Sequence, residues 1–399
     1  MLVFSLFVLG FHVFAQNPEA KLKELGFENI CVCVSNDTMC LSIDDPVYRG
    51  TFRGAGIALK HLYLLCPAIK KYELVVKHDN ANTVVVHASV DSGKWDLRVD
   101  YNDSEYKRIV SGRNGSNIDN YNSSAGKVNV TFYPIVSLDN HVTYKLFDVG
   151  LMIATSIETT LWKGSHLYIQ PIIPVYDNYE EYNRGGLQTH VQLGSVNLQQ
   201  EISNTSRWSG RISAGYFHYN YVGFAFDAKY HVSKQFDIGA RLGAVRTQMI
   251  NDEGWKYGHK NLYDALFQAS FYEPYSSVEV ALRAGRFLYG DYGCRLDGIC
   301  HFGEYAIGVY GVYSGGEYNG GFHFSIPVAG KKQERMGVVS LRLPDFFDWE
   351  YNMVSNYDWV YKKCGKDFEP NAARNRSANY WQAKYIESYL IKYLDGGVD

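Results

Sequence analysis

The fold is decided by the stretch Ser277–Gly293, which reads SVEVALRAGRFLYGDYG. In its first half, apolar side chains at Val278, Val280, Leu282 and Ala284 alternate with small or charged ones at Glu279, Ala281, Arg283 and Gly285. Because successive side chains of a β-strand point to opposite faces, the pattern predicts one apolar and one polar face. A soluble sandwich would bury the apolar face, whereas a membrane barrel would expose it to lipid and turn the charges into its lumen.

The surrounding sequence, from Lys127 to about Phe347, repeats this alternation at short spacing. The predicted strands are 128–137, 143–161, 166–176, 187–202, 206–218, 221–232, 235–249, 261–272, 276–289, 302–314, 318–328 and 336–346. Several exceed the roughly five or six residues usual in soluble strands, and about nine to eleven tilted residues cross a bilayer. The pattern favours a mainly β fold with an antiparallel transmembrane β-barrel of about 10–12 strands over residues 128–347.

The polar face of these strands supplies the candidate functional residues, which would line a lumen or contact a ligand. They are Asp227, Lys229, Asp237, Arg241, Glu279, Arg283, Arg286 and Asp291. Buried polar groups need partners whatever the function, so ion pairs that only brace the wall are an alternative. The end of the stretch, Gly290–Gly293, could equally be a simple turn, and a soluble sandwich with polar outer faces stays open.

The composition limits the function classes. The chain has 399 residues with 39 Lys and Arg against 42 Asp and Glu, so nothing favours a nucleic-acid partner. The 33 Tyr and 37 Gly suit outer-membrane barrels, whose aromatic girdles lie at both membrane interfaces, and they also suit large soluble β proteins.

The N-terminus has the pattern of a secretory signal peptide, predicted over residues 1–15. An apolar run from Leu2 to Phe14 is followed by Ala15, and Val13 and Ala15 stand at the two small-residue positions of a cleavage site. No later apolar run is long enough to span a membrane as a helix. A mature chain that spans a membrane would therefore need a closed barrel. We expect the outer membrane of a Gram-negative bacterium, with the small N-terminal domain in the periplasm.

Three regions flank the predicted barrel. Residues 17–100 are interpreted as a small α+β periplasmic domain, which opens on a helix with Asn17 as its N-cap and Pro18 at its first position. Residues 101–127 read as an Asn/Ser/Gly-rich linker, and residues 348–399 as a tail with an amphipathic helix. We expect that helix to pack on the protein itself, although plugging the lumen or lying on the membrane are alternatives. The glycines after Arg49 lack the Gly-Lys-Ser/Thr ending of a phosphate loop, and no cofactor is predicted.

The seven cysteines are an odd number, so at least one stays unpaired within the chain. Cys294 and Cys300 bracket what is interpreted as a short loop, Arg295–Ile299, and are a candidate pair for a disulfide in an oxidising compartment. A zinc site at Cys31, Cys33, Cys40 and Cys66 is the alternative to four small core residues. Their spacing fits no standard finger, so no metal site is predicted.

A family resemblance is carried by Ala284–Gly293, AGRFLYGDYG, which resembles the AGRYLAGDYG signature of the YjbH family. Gly320–Val328 is similar to the family's GSFDKGIYLSIPL, and Gly26–Asn29 and Val47–Gly50 resemble its small periplasmic module. The resemblance implies an outer-membrane barrel encoded with exopolysaccharide-production genes, here a member with a single barrel.

Three functions are compatible with these patterns. The first is a non-enzymatic outer-membrane barrel that assists exopolysaccharide export or assembly, with outer-membrane lipid, the exopolysaccharide and other envelope secretion proteins as partners. The second is a general porin or structural barrel, although barrels with few strands favour a filled lumen. The third is a lipid hydrolase on the barrel wall. It would need a serine activated by a histidine, and the chain has no Gly-x-Ser-x-Gly elbow.

Overall fold

The computed structural model describes most of the chain. The described residues are 17–35, 37–50, 52–111, 121–140, 147–179, 190–203, 207–218, 220–251, 254–353, 356–371 and 382–396. The predicted signal peptide, residues 1–15, and residues 112–120 of the predicted linker lie outside these ranges.

The N-terminal part folds into a five-stranded sheet with two helices. The elements are α1 Pro18–Glu24, β1 Glu28–Ser35, β2 Thr38–Asp44, α2 Arg53–Leu65, β3 Lys71–His78, β4 Ala81–Asp91 and β5 Lys94–Asp100. The strands lie in chain order, and α2 connects the parallel pair β2 and β3. The predicted cap of α1 is confirmed, because the Asn17 side chain accepts a hydrogen bond from the Glu19 amide at 3.0 Å.

A helix forms inside the predicted linker, where the sequence indicated no regular structure. This helix, α3 Ser104–Ser111, lies against β1 and β2. Its Tyr106 is buried and donates a hydrogen bond to Ser42 Oγ at 2.8 Å. The helix spans about two turns, too short for its apolar spacing to stand out in a polar stretch. Cys31 and Cys40 pack beside Tyr106 as buried thiols that form no disulfide.

The rest of the chain forms a second, larger sheet of 14 strands. They are β6 Val128–Asn140, β7 Phe147–Thr159, β8 Ser165–Asp177, β9 Gln192–Ser203, β10 Trp208–Phe217, β11 Tyr221–His231, β12 Phe236–Asn251, β13 Gly254–Glu273, β14 Val278–Arg286, β15 Tyr292–Phe302, β16 Tyr305–Ser314, β17 Glu317–Pro327, β18 Val339–Arg342 and β19 Phe346–Asn352. The prediction of a mainly β fold is confirmed, while the predicted number of strands was too small.

Two differences explain why the sequence predicted fewer strands than the large sheet has. The predicted strands omit β15, since the interpretation of residues 295–299 as a loop leaves no strand there. The last predicted strand, 336–346, was misplaced, since Pro344 cannot donate to a ladder and separates β18 from β19. The predicted disulfide was also wrong. Cys294 and Cys300 are free thiols six residues apart on β15, so their Cα atoms lie about 20 Å apart at roughly 3.3 Å per residue.

The edges of the large sheet are consecutive pieces of chain. The strand order runs β18-β6 through β17-β19, so no ladder between β18 and β19 closes it. β18 pairs in parallel with the start of β6, and β19 pairs antiparallel with β17. Farther along β6, the Trp349 indole of β19 donates a hydrogen bond to the Val136 carbonyl at 3.0 Å. Both edges therefore approach β6.

The two faces of the large sheet differ in chemistry. One face exposes apolar and aromatic side chains from strand after strand. Examples are Phe224, Leu242, Tyr263, Phe267, Val280, Leu296, Ile307, Val309 and Phe322, each at least 42% exposed. The other face, called here the inner face, carries buried polar and charged residues. On β16 exposed and buried residues alternate without a break over all ten positions.

The small domain sits at one end of the large strands. Asp79 contacts His166 Nδ1 at 2.7 Å at the start of β8, and Arg49 donates to the Ala329 carbonyl at 2.6 Å just after β17. The Tyr101 ring stacks on His231 at the end of β11, with ring centroids 3.7 Å apart. These contacts fix the small domain against the short turns of the sheet.

The C-terminal helix α5, Ala383–Gly396, completes the small-domain core with Ile386 and Leu390, both fully buried. The amphipathic helix that the sequence predicts over residues 378–394 is present, and it packs on the protein as expected; its predicted residues 378–381 lie outside the described ranges. Its Glu387 accepts hydrogen bonds from the Val99 amide at 3.0 Å and from Lys234 Nζ at 2.6 Å. One carboxylate thus joins α5, the small domain and a turn of the large sheet.

Replacing Glu387 with Gln is expected to loosen α5. Burial raises the pKa of Glu387, but the hydrogen bonds from Lys234, Lys384 and Val99 outweigh it, so its pKa lies below the ordinary 4.5. The stabilisation is therefore fully present above pH 4.5 and is lost as the pH falls through the lower folded-state pKa. Losing the charged acceptor should lower the free energy that holds α5 on the protein by about 1–3 kcal/mol at neutral pH.

Tryptic cleavage after Lys384 and Lys392 measures this loosening. We expect faster cleavage of Glu387→Gln than of the native chain at pH 7, and Glu24→Gln, which alters an exposed ion pair with Lys21, should match the native chain. An acid-tolerant protease should show the difference shrinking below pH 4.5. Equal cleavage at pH 7 would contradict the role of Glu387.

Candidate functional site

The inner face of the large sheet brings charged side chains from different strands into register. Arg211 on β10 lies opposite Asp227 on β11, which lies opposite Arg241 on β12. Arg211 Nε also donates to Glu201 Oε1 on β9 at 2.7 Å. Opposite charges on neighbouring strands stabilise a sheet. In this part of the large sheet, whose strands are called here the wall, Arg211 and Asp227 therefore find oppositely charged partners on neighbouring strands.

The wall between β14 and β15 has a different charge pattern. Arg283 on β14 lies directly opposite Arg295 on β15, and like charges in that position repel. Arg295 is neutralised by the wall, since its guanidinium donates to Asp297 at 2.7 Å and to Glu350 of β19 at 2.8 Å. Arg283 donates instead to Asp367 Oδ2 at 2.6 Å, and Asp367 belongs to the C-terminal tail.

The tail reaches the inner face after a short helix, α4 Tyr357–Lys362, at the end of the strands away from the small domain. Residues 364–371, called here the tail segment, then follow the wall. The Gly365 amide donates to Asp291 at 2.7 Å, the Leu288 amide donates to the Lys366 carbonyl at 2.9 Å, and Asn197 donates to the Pro370 carbonyl at 2.9 Å. The tail segment therefore crosses from β14 to β9.

Arg241 is the second wall arginine held by the tail segment. Its guanidinium donates to the Phe368 carbonyl, lies 3.9 Å from Glu369 Oε1 and sits over the Phe368 ring. Its Nε is 3.3 Å from Asp264 Oδ2 on the neighbouring strand. Both Asp264 oxygens are buried, and neither has a hydrogen-bond partner in the described part of the chain. Arg241 thus bridges the wall and the tail.

Between the two arginines the wall forms an aromatic pocket filled by Phe368, called here the Phe368 seat. Phe368 is 1% exposed and stacks on Phe217 with ring centroids 5.5 Å apart. The other seat residues are Tyr221, Ala225, Val245 and Leu288. Gly243 makes room for the ring, because a Cβ there would stand 2.3 Å from Phe368 Cε1.

The remaining predicted residues lie at three different places. Asp291 fastens Gly365 and accepts a hydrogen bond from Ser314, so it belongs to the tail contact. Arg286, predicted to line a lumen or contact a ligand, lies on the outward face with its guanidinium 3.6 Å from the Tyr263 ring centroid. Gly285 before it has a φ of 145°, and the turn begins at Phe287.

Asp237 and Glu279 lie near the small-domain end of the inner face. Asp237 contacts His231 Nδ1 at 2.7 Å, and Glu279 contacts His301 Nε2 at 3.1 Å. His301 lies 5.4 Å from the Tyr385 ring of α5, so both pairs support the junction with the small domain. Lys229, on β11, lies opposite Ser209 and Gly239 and does not contact the tail segment in the described structure.

The cluster of Arg295, Asp297 and Glu350 is absent from the predicted residues because β15, which carries two of the three, was not predicted. Arg295 also sits 3.7 Å from the centroid of the Tyr310 ring. The sequence does contain the alternation that marks a strand. All outward positions of β15 except one carry apolar or aromatic side chains, namely Tyr292, Cys294, Leu296, Cys300 and Phe302. Asp367 and Glu369 were missed because they lie in an irregular segment.

Comparison with known protein families finds one match. The family is YjbH, described as exopolysaccharide biosynthesis protein, and its match extends over residues 13–335. The chain belongs to the YjbH family. No curated protein and no solved structure matches it significantly. The family predicted from AGRFLYGDYG is therefore confirmed, and in this YjbH-family chain that motif forms the end of β14, the turn that binds the tail segment, and the start of β15.

Two searches of the described residues were negative. They contain no group of three or more His, Cys, Asp and Glu side chains arranged to hold a metal ion. Within the same residues, no helix has the length and apolarity needed to cross a membrane.

A methyl group at Gly243 is expected to dislodge the tail segment. The added Cβ would stand 2.1 Å from Asp264 Oδ1 and 2.3 Å from the Phe368 ring, and such overpacking costs about 1–3 kcal/mol. Gly243→Ala should therefore accelerate tryptic cleavage after Lys366. Gly298→Ala is the matched control on β15, because no atom lies within 4 Å of its added Cβ. Unchanged cleavage in Gly243→Ala would show that Phe368 is not seated there.

Proposed function

We propose that the large sheet forms a β-barrel in the outer membrane and assists exopolysaccharide export or assembly without catalysing a reaction. The observation that carries the proposal is the chemistry of the two faces. Apolar side chains such as Leu242, Phe267 and Val309 are exposed, while Arg241 and Glu279 are buried on the inner face. A water-soluble sheet places these faces the other way round, and an apolar surface of this extent matches a lipid-facing wall.

The strand order supports closure of the sheet. β18 and β19 lie at opposite edges of the order yet follow each other in the chain. Taken as one interrupted strand, they join β17 to β6 and complete a ring. The parallel pairing of β18 with β6 gives such a ring an odd number of strands, a solution known among membrane barrels.

The orientation follows from the ends of the strands. At the small-domain end the links are short, such as 232–235 and 303–304, apart from residues 328–338. The longest link, residues 178–191, lies at the opposite end, where other links such as 315–316 are short. Barrels of the outer membrane have short periplasmic turns and longer outer loops, so we place the small domain in the periplasm.

A supporting rather than catalytic role agrees with the side chains of the wall. The inward Ser213 hydroxyl is buried and has no hydrogen-bond partner among the described residues, so no base activates it. His231 and His323 contact Asp237 and Asp297 respectively. The family description points to exopolysaccharide biosynthesis. A freely open porin is disfavoured because the tail segment crosses the inner face.

An outward arginine distinguishes a lipid-facing wall from a soluble surface. Leu242 is 52% exposed in the middle of β12, and Leu64 is 74% exposed on α2 of the small domain. An arginine that faces lipid at the bilayer midplane lowers the folding stability of a barrel by about 2–4 kcal/mol, whereas an arginine on a water-exposed surface changes it little. Leu242→Arg should therefore lower the amount of folded protein in outer-membrane fractions severalfold, and Leu64→Arg should not. Normal levels of Leu242→Arg would argue for a soluble sheet.

Deletion of the gene tests the role itself. We expect less polysaccharide at the cell surface, restored by the native chain and by Leu64→Arg but only partly by Leu242→Arg. Quantification of extracted surface polysaccharide measures the effect. An unchanged amount and composition after deletion would contradict a role in export or assembly.

A further inference from the structure

We infer that the Phe368 seat and the arginines beside it form a binding site for an acidic polysaccharide bearing carboxylate groups, and that the tail segment occupies this site as an internal substitute. The inference rests on the proposed function and names the class of glycan. It starts from the sequence Asp367-Phe368-Glu369, in which two carboxylates flank one flat ring.

The first step concerns Arg283. Its neighbour across the strands is Arg295, which makes the ion-pair contacts with Asp297 and Glu350, while Arg283 lies close enough to share the charge of both carboxylates. Arg283 contacts the carboxylate of Asp367, at 2.6 Å, and this carboxylate comes from outside the wall. A wall built only to be stable would place a carboxylate on a neighbouring strand, as β9 does for Arg211. Without the tail segment, Arg283 presents its guanidinium to any carboxylate inside the sheet.

The second step concerns the space between the arginines. The Phe368 seat is lined by Phe217 and Tyr221, and the Tyr221 hydroxyl is hydrogen-bonded to the Tyr289 hydroxyl at 2.9 Å. Aromatic and apolar walls with a few placed polar groups are the usual lining of small-molecule sites. A sugar ring has a flat apolar face of about the size of a phenyl ring. The seat therefore fits a sugar between two cationic groups.

The third step concerns Arg241 and Asp264. Arg241 holds the Phe368 carbonyl and lies 3.9 Å from Glu369, so it contacts backbone and carboxylate of the occupant together. The buried Asp264 oxygens beside it have no hydrogen-bond partner within the described residues. Asp264 pairs with Arg241 Nε at 3.3 Å, and a sugar hydroxyl, unlike the Phe368 ring, would donate hydrogen bonds to its carboxylate as well.

Emptying the seat tests the inference in the full-length chain in detergent. The triple variant Asp367→Ala, Phe368→Ala and Glu369→Ala removes the substitute but keeps both arginines. Isothermal titration with hexagalacturonate should show binding at least tenfold tighter than in the native chain, weakening as salt is raised. Maltohexaose, a neutral chain of the same length, should show no such gain. Adding Arg283→Gln to the triple variant should return the affinity to the native level.

The matched control changes the same tail outside the seat. Tyr357→Ala, Asp358→Ala and Tyr361→Ala together remove one carboxylate and two exposed rings from α4, and they should leave hexagalacturonate binding as in the native chain. A second variant, Asp367→Asn with Glu369→Gln, keeps Phe368 and all backbone contacts. It should give a smaller gain in affinity even where the triple variant does not fold.

Three outcomes would overturn the inference. They are equal binding of hexagalacturonate and maltohexaose, a gain in affinity that survives Arg283→Gln, and no gain in either tail variant. The inference and the proposed function fail separately. If gene deletion lowers surface polysaccharide but no variant binds hexagalacturonate, only the inferred site is contradicted. If hexagalacturonate binds but gene deletion leaves surface polysaccharide unchanged, only the proposed function is contradicted.

Discussion

A charge turned away from bulk water needs a partner, and the inner face of the large sheet is organised around this constraint. Most of its charges are paired by neighbouring strands, as Arg211 is by Glu201 and Arg295 is by Asp297 and Glu350. Arg283 is the exception, because the strand beside it supplies another arginine. Its partner comes from the tail, so the path of the C-terminal chain is tied to the charge pattern of the wall.

That path couples the two units of the protein. The tail leaves β19 at one end of the strands, and α5 completes the core of the small domain at the other. Glu387 on α5 also holds Lys234 in a turn of the large sheet. The tail segment and α5 therefore belong to one stretch of chain that contacts both the inner face and the core of the small domain.

Alternation along the chain predicted most of the large sheet and placed Arg241 and Arg283 on its inner face. The prediction failed where local sequence is ambiguous. In β15, the interpretation of residues 295–299 as a loop produced a candidate disulfide that the strand geometry forbids. The contacts of Asp367 could not be predicted at all, because 84 residues separate it from Arg283 and no periodicity marks the segment. Pairings of that kind are decided by tertiary structure.

The motif AGRFLYGDYG now divides into separate physical roles. Gly285 lies so close to β13 that a Cβ would stand 2.2 Å from the Ala265 carbonyl oxygen, and its φ of 145° excludes most other residues. Arg286 stacks on the outward Tyr263, while Asp291 holds the Gly365 amide. The motif therefore encodes a tight turn and the anchor for the tail segment. The residues that would meet a glycan, Arg241 and Arg283, lie outside it, so the motif accounts for the anchor of the tail segment and not for the proposed site.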